Sequence, residues 1–529
     1  MSSLYKLLSF FLLIFLFASC SGNDASKKNT LVIGVDSDVE SLNPLFAYSG
    51  IEPTIAELLY PSLVKHSWDD NAGEIKSEPW IAEYIEWLND SSAVKITLKD
   101  VKWSDGKKIT PEDVKFSLEI YSNADLQSRF YGTFENFKED KDLRILIEET
   151  FTLDNENTFT LHFKDKAKPS YFDFDFPILP AHAFNKNNPK EDPKNIYGGP
   201  FVLDKRTKEQ SITLKRNKNF SDASVGNIEK IIFKVIPDYN TRILQLKNSE
   251  IDICEDVKPD DADELKENSR IKMAQVKGRE YDYIGLNNNS PLFKNVNIRK
   301  GISYSINKNE ILGEFLLNYG ELANAPVAPV FKGQFNKSLQ PINYNINAAK
   351  SIFTSEGWKD NNKNGILEKG GEEFSFTMYI PAGNPRRDFA ANVIKNNLKE
   401  AGIDLTVQQV EPGTFFDNMF QKKYDCWMAG WVVPIPTQLE PYFHSGEEGI
   451  FNLFNYSNKD VDKLLEQAQS EKNKTKKNEL YKLIQEKIYN DSPIVFLYWI
   501  DNLVFYNSSL KNVNITPLGA LHNCWQWSY

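Results

Sequence analysis

Apolar positions along this chain alternate between two periods, strand-like runs and helix-period stretches, which is the order of an α/β protein. Residues 30–35 form a short apolar strand, followed by a polar turn at 36–43 and a helical pattern over 55–64. Residues 84–87 and 94–98 predict paired strands across the polar turn 89–92. Thr110 predicts a helix N-cap, with Pro111 at the first helical position and Glu112 and Asp113 in the first turn, and the helix runs on to Tyr121. Residues 158–163 alternate as a strand. After the Gly198-Gly199-Pro200 junction come strands at 201–203, 211–214, 231–236, 250–254 and 281–286, with a helix at 239–247. A second α/β region starts near Val296. It predicts helices at 298–306, 308–317, 348–358, 390–401, 461–468 and 478–489, and strands at 374–380, 403–410, 424–431 and 494–499.

The N-terminus follows another pattern. Lys6 precedes an almost wholly apolar run over 7–17. That is short of the ~20 residues needed to span a bilayer and fits the apolar region of a signal peptide. Ala18, Ser19 and Cys20 follow, and Leu16-Phe17-Ala18-Ser19-Cys20 resembles a bacterial lipobox. The expectation is a signal peptide over 1–19 and a lipid on Cys20; a plain secretory signal is the alternative. Residues 20–29 are polar and form a tether.

At 529 residues, the chain has room for two or three lobes. Its net charge of −11 argues against nucleic acid as a partner. Its 10 Trp, 23 Tyr and 35 Phe suffice for large cores and for lining a ligand cleft. Cys254, Cys426 and Cys524 cannot all pair internally, so one disulfide plus one thiol, or three buried thiols, remain open. Histidines 66, 162, 182, 444 and 522 are scattered, with no zinc spacing. No GxSxG, HExxH or P-loop is present.

Five segments in order resemble the family 5 extracellular solute-binding proteins, receptors of peptide and nickel ABC importers. Val-Lys-Trp-Ser-Asp-Gly-Lys-Lys-Ile-Thr-Pro-Glu-Asp-Val at 101–114 is similar to the family signature. Gly198-Gly199-Pro200-Phe201, the segment 238–252, Ile284-Gly285-Leu286-Asn287 with 296–306, and 424–431 ending in Gly430-Trp431 supply the others. The resemblance implies a type II-like periplasmic-binding-protein fold of α/β class. Lobe I would take 30–292 plus 500–529, with an inserted subdomain near 78–194, and lobe II 293–499. Hinge crossings would fall near 287–293 and 499–503. It also implies a monomer that takes a peptide or other small solute, and an ABC permease and ATPase complex as partner.

Such a receptor is expected to need no catalytic group and no cofactor, only aromatic walls and a few polar anchors. Gly430 and Trp431 keep their family position. In peptide-binding relatives an Asp three residues after this Trp pairs with the peptide amine; here Pro434 stands there and cannot. Dipeptide-binding relatives hold the carboxylate with an Arg after a strand like 374–380. Arg386 or Arg387 would serve here, with a solvated helix start as the alternative. Both anchors of a free dipeptide are thus altered, which leaves a longer or blocked peptide, a sugar or a metal chelate. Tyr48, Asn287 and Asn455 are further ligand-site expectations, each with a structural alternative. Residues 360–371 begin like a calcium loop, but Gly371 replaces the bidentate Glu, which favours a polar turn. A ligand-binding sensor or an exported hydrolase are the competing functions.

Overall fold

The computed structural model describes residues 29–529 apart from 49, 127, 185–187, 190–194, 223–225, 256, 435–436 and 447–448. The expected signal peptide, Cys20 and the tether up to residue 28 lie outside the described residues.

One sheet of eleven strands runs through the molecule. From one edge its order is Asp404–Val410, Ser375–Pro381, Cys426–Val432, Ile271–Leu286, Ile494–Asn507, Ile253–Cys254, Thr30–Val35, Lys230–Val235, Ser211–Arg216 and Phe201–Thr207; Gly320–Leu322 pairs beside Ile494–Asn507. The two long strands at the centre are antiparallel and belong to both halves. Residues 271–276 pair with 502–507, and residues 280–285 pair with 494–500. Between Val276 and Glu280 the register shifts.

On the far side of that shift, Cys426–Val432 joins the 280–286 segment. Helices cover both faces of this half. Val296–Ser305, Lys308–Glu314, Ile346–Ser355 and Pro385–Glu400 pack on one face. Pro412–Phe420, Lys459–Ser470 and Lys474–Asp491 pack on the other. On the near side the sheet carries Glu52–Leu59 and the C-terminal residues on one face, and Tyr239–Lys247 and Pro259–Lys266 on the other. A further core forms around the four-stranded sheet Ala82–Leu88, Ala93–Leu98, Thr158–His162, Phe151–Asn155 and the helix Pro111–Tyr121.

The 101–114 segment is a structural knot of that core. Thr110 and Asp113 form a capping box. The buried Asp113 carboxylate accepts from Thr110 N at 2.9 Å, Ala181 N at 2.9 Å and Trp103 Nε1 at 3.3 Å. Trp103 is fully buried, so this motif serves folding. The loop 360–371 likewise closes on itself: Gly365 N donates to Asp360 Oδ2 at 3.1 Å, and Asn364 Nδ2 donates to Glu373 Oε1 at 2.7 Å. Cys254, Cys426 and Cys524 are all buried, and no disulfide joins them.

At the register shift Gly278 runs so close to the partner strand that a Cβ would lie 1.8 Å from the Ile500 carbonyl oxygen. Backbone cannot yield as a side chain tip does. Gly278→Ala is expected to lower stability by about 1–3 kcal/mol, read as a lower urea midpoint.

The halves also touch away from these strands. The hairpin Val64–Asp69 and Glu74–Pro79 reaches across, with Trp68 and Phe331 rings 5.8 Å apart and Lys332 donating to the Asp70 carbonyl. His522 ties this hairpin to the C-terminus. Its Nε2 is 2.9 Å from the His66 carbonyl and its Nδ1 3.0 Å from Glu57. Burial pushes the imidazole down, but Glu57 and the His66 carbonyl outweigh it and hold the pKa at about 9. The imidazolium therefore stabilises the fold fully below pH ~6.5, and that contribution fades as pH rises through about 9. Stability should fall by up to about 3 kcal/mol between those limits. Urea titrations of His522→Gln should show a flatter pH profile.

Candidate functional site

The parallel strands Ser375–Pro381, Asp404–Val410 and Cys426–Val432 all end at the edge facing the crossing of the two long strands. In open α/β sheets ligands bind outside such carboxyl ends. Period-two alternation then sends Gly430 and Trp431 to opposite faces.

On one face the chain turns through Gly383, at φ +87°, and Asn384 caps the helix Pro385–Glu400. Arg386 and Arg387 therefore sit in its first turn, where the helix dipole disfavours cations. Asp282, directly across from Gly430, supplies the compensation. Its carboxylate is fully buried. It accepts from Arg386 Nε at 2.8 Å, Arg387 Nη2 at 3.0 Å and Tyr498 Oη at 3.1 Å. Glu280 adds a second carboxylate, 2.7 Å from Arg386 Nη2. Burial alone would lower the Arg386 pKa, but Asp282 and Glu280 hold it above its ordinary value. Burial, then the Asp282 charge, push the Tyr498 phenol well up. Gly430 makes room for the group: a Cβ there would lie 2.2 Å from Arg387 Nη2.

Trp431 faces the other way, into aromatic neighbours. Its ring lies 4.2 Å from Tyr442, edge-on, 5.9 Å from Phe451 and 6.4 Å from Tyr283. Phe451 stacks on Tyr442 at 5.7 Å and meets Phe420 at 6.2 Å. Phe420 is half exposed, and so is Val432 beside Trp431. The row thus passes from the core to the surface. After Val432, Val433 N donates to the Arg279 carbonyl at 2.9 Å, which extends the ladder toward the crossing, and Pro434 follows.

Gly430, Trp431 and Arg386 are therefore gathered at one strand end. The guanidinium of Arg386 is committed to the chain's own carboxylates, neither solvated nor open to a ligand. Asn287 and Asn455 lie elsewhere. Asn455 Nδ2 donates to Asn287 Oδ1 at 2.9 Å, and Asn287 Nδ2 to Asp425 Oδ1 at 2.7 Å. That is the opposite end of the strand Cys426–Val432, about 20 Å from Trp431 at the rise of a strand. Tyr48 is 58% exposed in the other half. Its loop is organised by Glu52, which accepts from Glu40 N at 2.8 Å and Tyr48 N at 3.2 Å.

Glu280, Asp282, Tyr442 and Phe451 join the candidate site from the structure alone; sequence reasoning passes over them. Asp282 left a signal: a single acid between two tyrosines in an otherwise apolar run, with a matching Arg-Arg pair against a helix dipole.

A sheet carried across two halves, with an aromatic row at the strand end beside their crossing, is the architecture of a two-part ligand-binding protein. The chain belongs to the bacterial extracellular solute-binding proteins, family 5, whose model matches residues 76–449. Its task is accordingly binding, not turnover. It is 28% identical over 542 residues to the oligopeptide-binding protein AppA of Bacillus subtilis, covering 98% of this chain and 96% of that one. The structure of the Bacillus subtilis protein in complex with a nonapeptide matches with a TM-score of 0.72 at 26% identity, over 94% of this chain and 98% of the other. A putative peptide-binding protein AppA from Clostridium difficile shares the fold, with a TM-score of 0.78 at 21% identity, over 94% and 99%.

Proposed function

We propose that this chain is the extracytoplasmic substrate-binding lipoprotein of an ABC importer. It is cut before Cys20 and held on a bacterial membrane, on the periplasmic or outer face, by a lipid on that cysteine. It captures a peptide or peptide-like solute between two lobes and delivers it to the permease. The lobes part where the register between the two long strands shifts, at 277–279 and 500–502, earlier than 287–293 on the first strand. The subdomain near 78–194 belongs to the first lobe. Trp431 forms the ligand wall, while Gly430 and Arg386 shape the strand end behind it. Tyr48 faces the cleft from the first lobe, and Asn287 and Asn455 brace lobe II.

The aromatic row that passes from the core at Tyr283 to the surface at Phe420 carries this reading. Apolar side chains spaced along a groove suit peptides, whose backbones are then read by hydrogen bonds. A peptide receptor of this type is AppA, the relative with a bound nonapeptide. The altered anchors favour a longer or blocked peptide over a free dipeptide, because Pro434 carries no charge and Arg386 is already neutralised. The same observation supports a second reading, a non-peptide solute such as a sugar or metal chelate.

Mass spectrometry of solute released from protein purified without refolding tests the ligand: peptides are expected, and a homogeneous non-peptide would overturn the first reading. Cys20→Ser should release the protein from the membrane fraction; unchanged retention would refute the lipid anchor.

A further inference from the structure

Three arginines border the crossing, and two of them are neutralised. Arg386 and Arg387 face Glu280 and Asp282. Lys277, also at the crossing, has Asp501 at 3.2 Å and Glu321 at 3.5 Å. Arg279 differs. Its Nε donates to the Pro517 carbonyl at 3.2 Å, and its Nη1 donates to the Val433 carbonyl. Pro517 belongs to the C-terminal loop of one half, and Val433 follows the Trp431 strand of the other. No acidic group faces this guanidinium among the described residues, and its Nη2 has no partner among them.

Burial without a counter-charge depresses the Arg279 pKa, yet a guanidinium stays protonated. The guanidinium is only partly buried, and its unbonded Nη2 is not among the fully buried atoms, so that edge stays open to solvent and to an arriving solute. With Nη1 held on Val433, two residues after Trp431, the open edge is an unneutralised positive charge beside the Trp431 strand end, suited to an anionic group.

We propose that Arg279 is an anchor for a carboxylate of the bound solute, either a peptide C-terminus or an acidic side chain. Nη2 takes the carboxylate while Nε and Nη1 stay on Pro517 and Val433. Because those two carbonyls come from different halves, the anchor is assembled only when the halves are together. The solute class is then an anionic one with apolar or aromatic side chains, the first for Arg279 and the second for the Trp431 row. This inference rests on the reading that a solute occupies the cleft at the Trp431 strand end.

The test uses the mature protein and its Arg279→Gln and Arg279→Lys variants. Solute that co-purifies with each is identified by mass spectrometry. Each protein is then titrated calorimetrically with a pooled library of short aromatic-rich peptides in free-acid and C-terminal amide forms, and in glutamate and glutamine forms. Carboxylate-bearing solute is expected on the wild type and depleted from Arg279→Gln. Acid forms should bind roughly 10- to 100-fold tighter than neutral forms on the wild type. Arg279→Gln should abolish that preference, and Arg279→Lys should keep part of it. Preference for the free C-terminus or for glutamate names the source of the carboxylate, and either supports the anchor. Co-purified solute without an anionic group overturns it, as does equal weakening of acid and neutral forms by Arg279→Gln, which would make Arg279 a staple between the halves only. A carboxylate-bearing solute that is not a peptide upholds the anchor while refuting the peptide reading.

Discussion

Asp282→Ala is expected to cost about 3–5 kcal/mol of stability, the largest effect of any single change considered for this protein. The carboxylate is fully buried and is shared by Arg386, Arg387 and the Tyr498 hydroxyl. Removing it leaves two guanidinium groups facing only Glu280, which is partly exposed and so partly screened. Desolvated cations without counter-charges are the reason that breaking a buried pair costs more than forming it gains. The damage should not stop at the pair. Arg387 lies against the Cα of Gly430, so its release frees the strand end that carries Trp431. Urea titration should therefore show a lower midpoint together with a changed tryptophan spectrum in the native baseline. Replacing all three charges with Asp282→Leu, Arg386→Met and Arg387→Met should recover much of the loss, because apolar packing often matches a buried ion pair. A loss below about 1 kcal/mol for Asp282→Ala would show that the carboxylate is not holding the arginines in solution.

The same cluster marks where sequence reading reaches its limit. Largely buried strands, such as Thr30–Val35 and Cys426–Val432, are legible because every position is apolar or small. Thr110, Pro111 and Asp113 are legible because capping is local chemistry. The long strands are only half legible. Residues 281–286 and 494–499 are predicted as strands, but no strand is predicted over 271–280, where Lys272, Gln275, Lys277, Gly278, Arg279 and Glu280 interrupt the apolar positions. Their ladder is supplied by residues 494–507, far away in sequence, and no local propensity announces it. The hairpin through Glu74–Pro79 is hidden for the same reason, its exposed positions being charged. Site residues divide similarly. Trp431 is legible from its position in a motif. The pairing of Asp282 with Arg386 spans 104 residues and is set by which strands become neighbours. Asn287 and Asn455 stand at family positions, yet their side chains bond to each other because the strand order brings residues 287, 425 and 455 together at the end away from Trp431.

Trp431→Ala should lower affinity for the bound solute roughly 10- to 100-fold, the equivalent of about 1.5–3 kcal/mol of lost aromatic contact. The indole is half-buried, with Tyr442 edge-on at 4.2 Å and Phe451 at 5.9 Å. Through Phe451 the indole leads on to half-exposed Phe420, so the aromatic row reaches the surface. Alanine removes the wall and also unseats Tyr442, whose ring rests against the indole. Some stability will be lost with it, so affinity has to be read on folded protein, by calorimetry below the onset of unfolding. Trp431→Phe separates the two contributions. Phenylalanine retains the edge-to-face contact with Tyr442 and should restore stability, while offering a ligand less ring area. Affinity for the released native solute should then fall in the order Trp, Phe, Ala, with the melting temperature recovered in Phe. Binding unchanged in Trp431→Ala would move the ligand away from this strand end. In that event the aromatic row is core that happens to reach the surface, and the search for the wall would shift to the polar loop around Tyr48 and Glu52 in the other half.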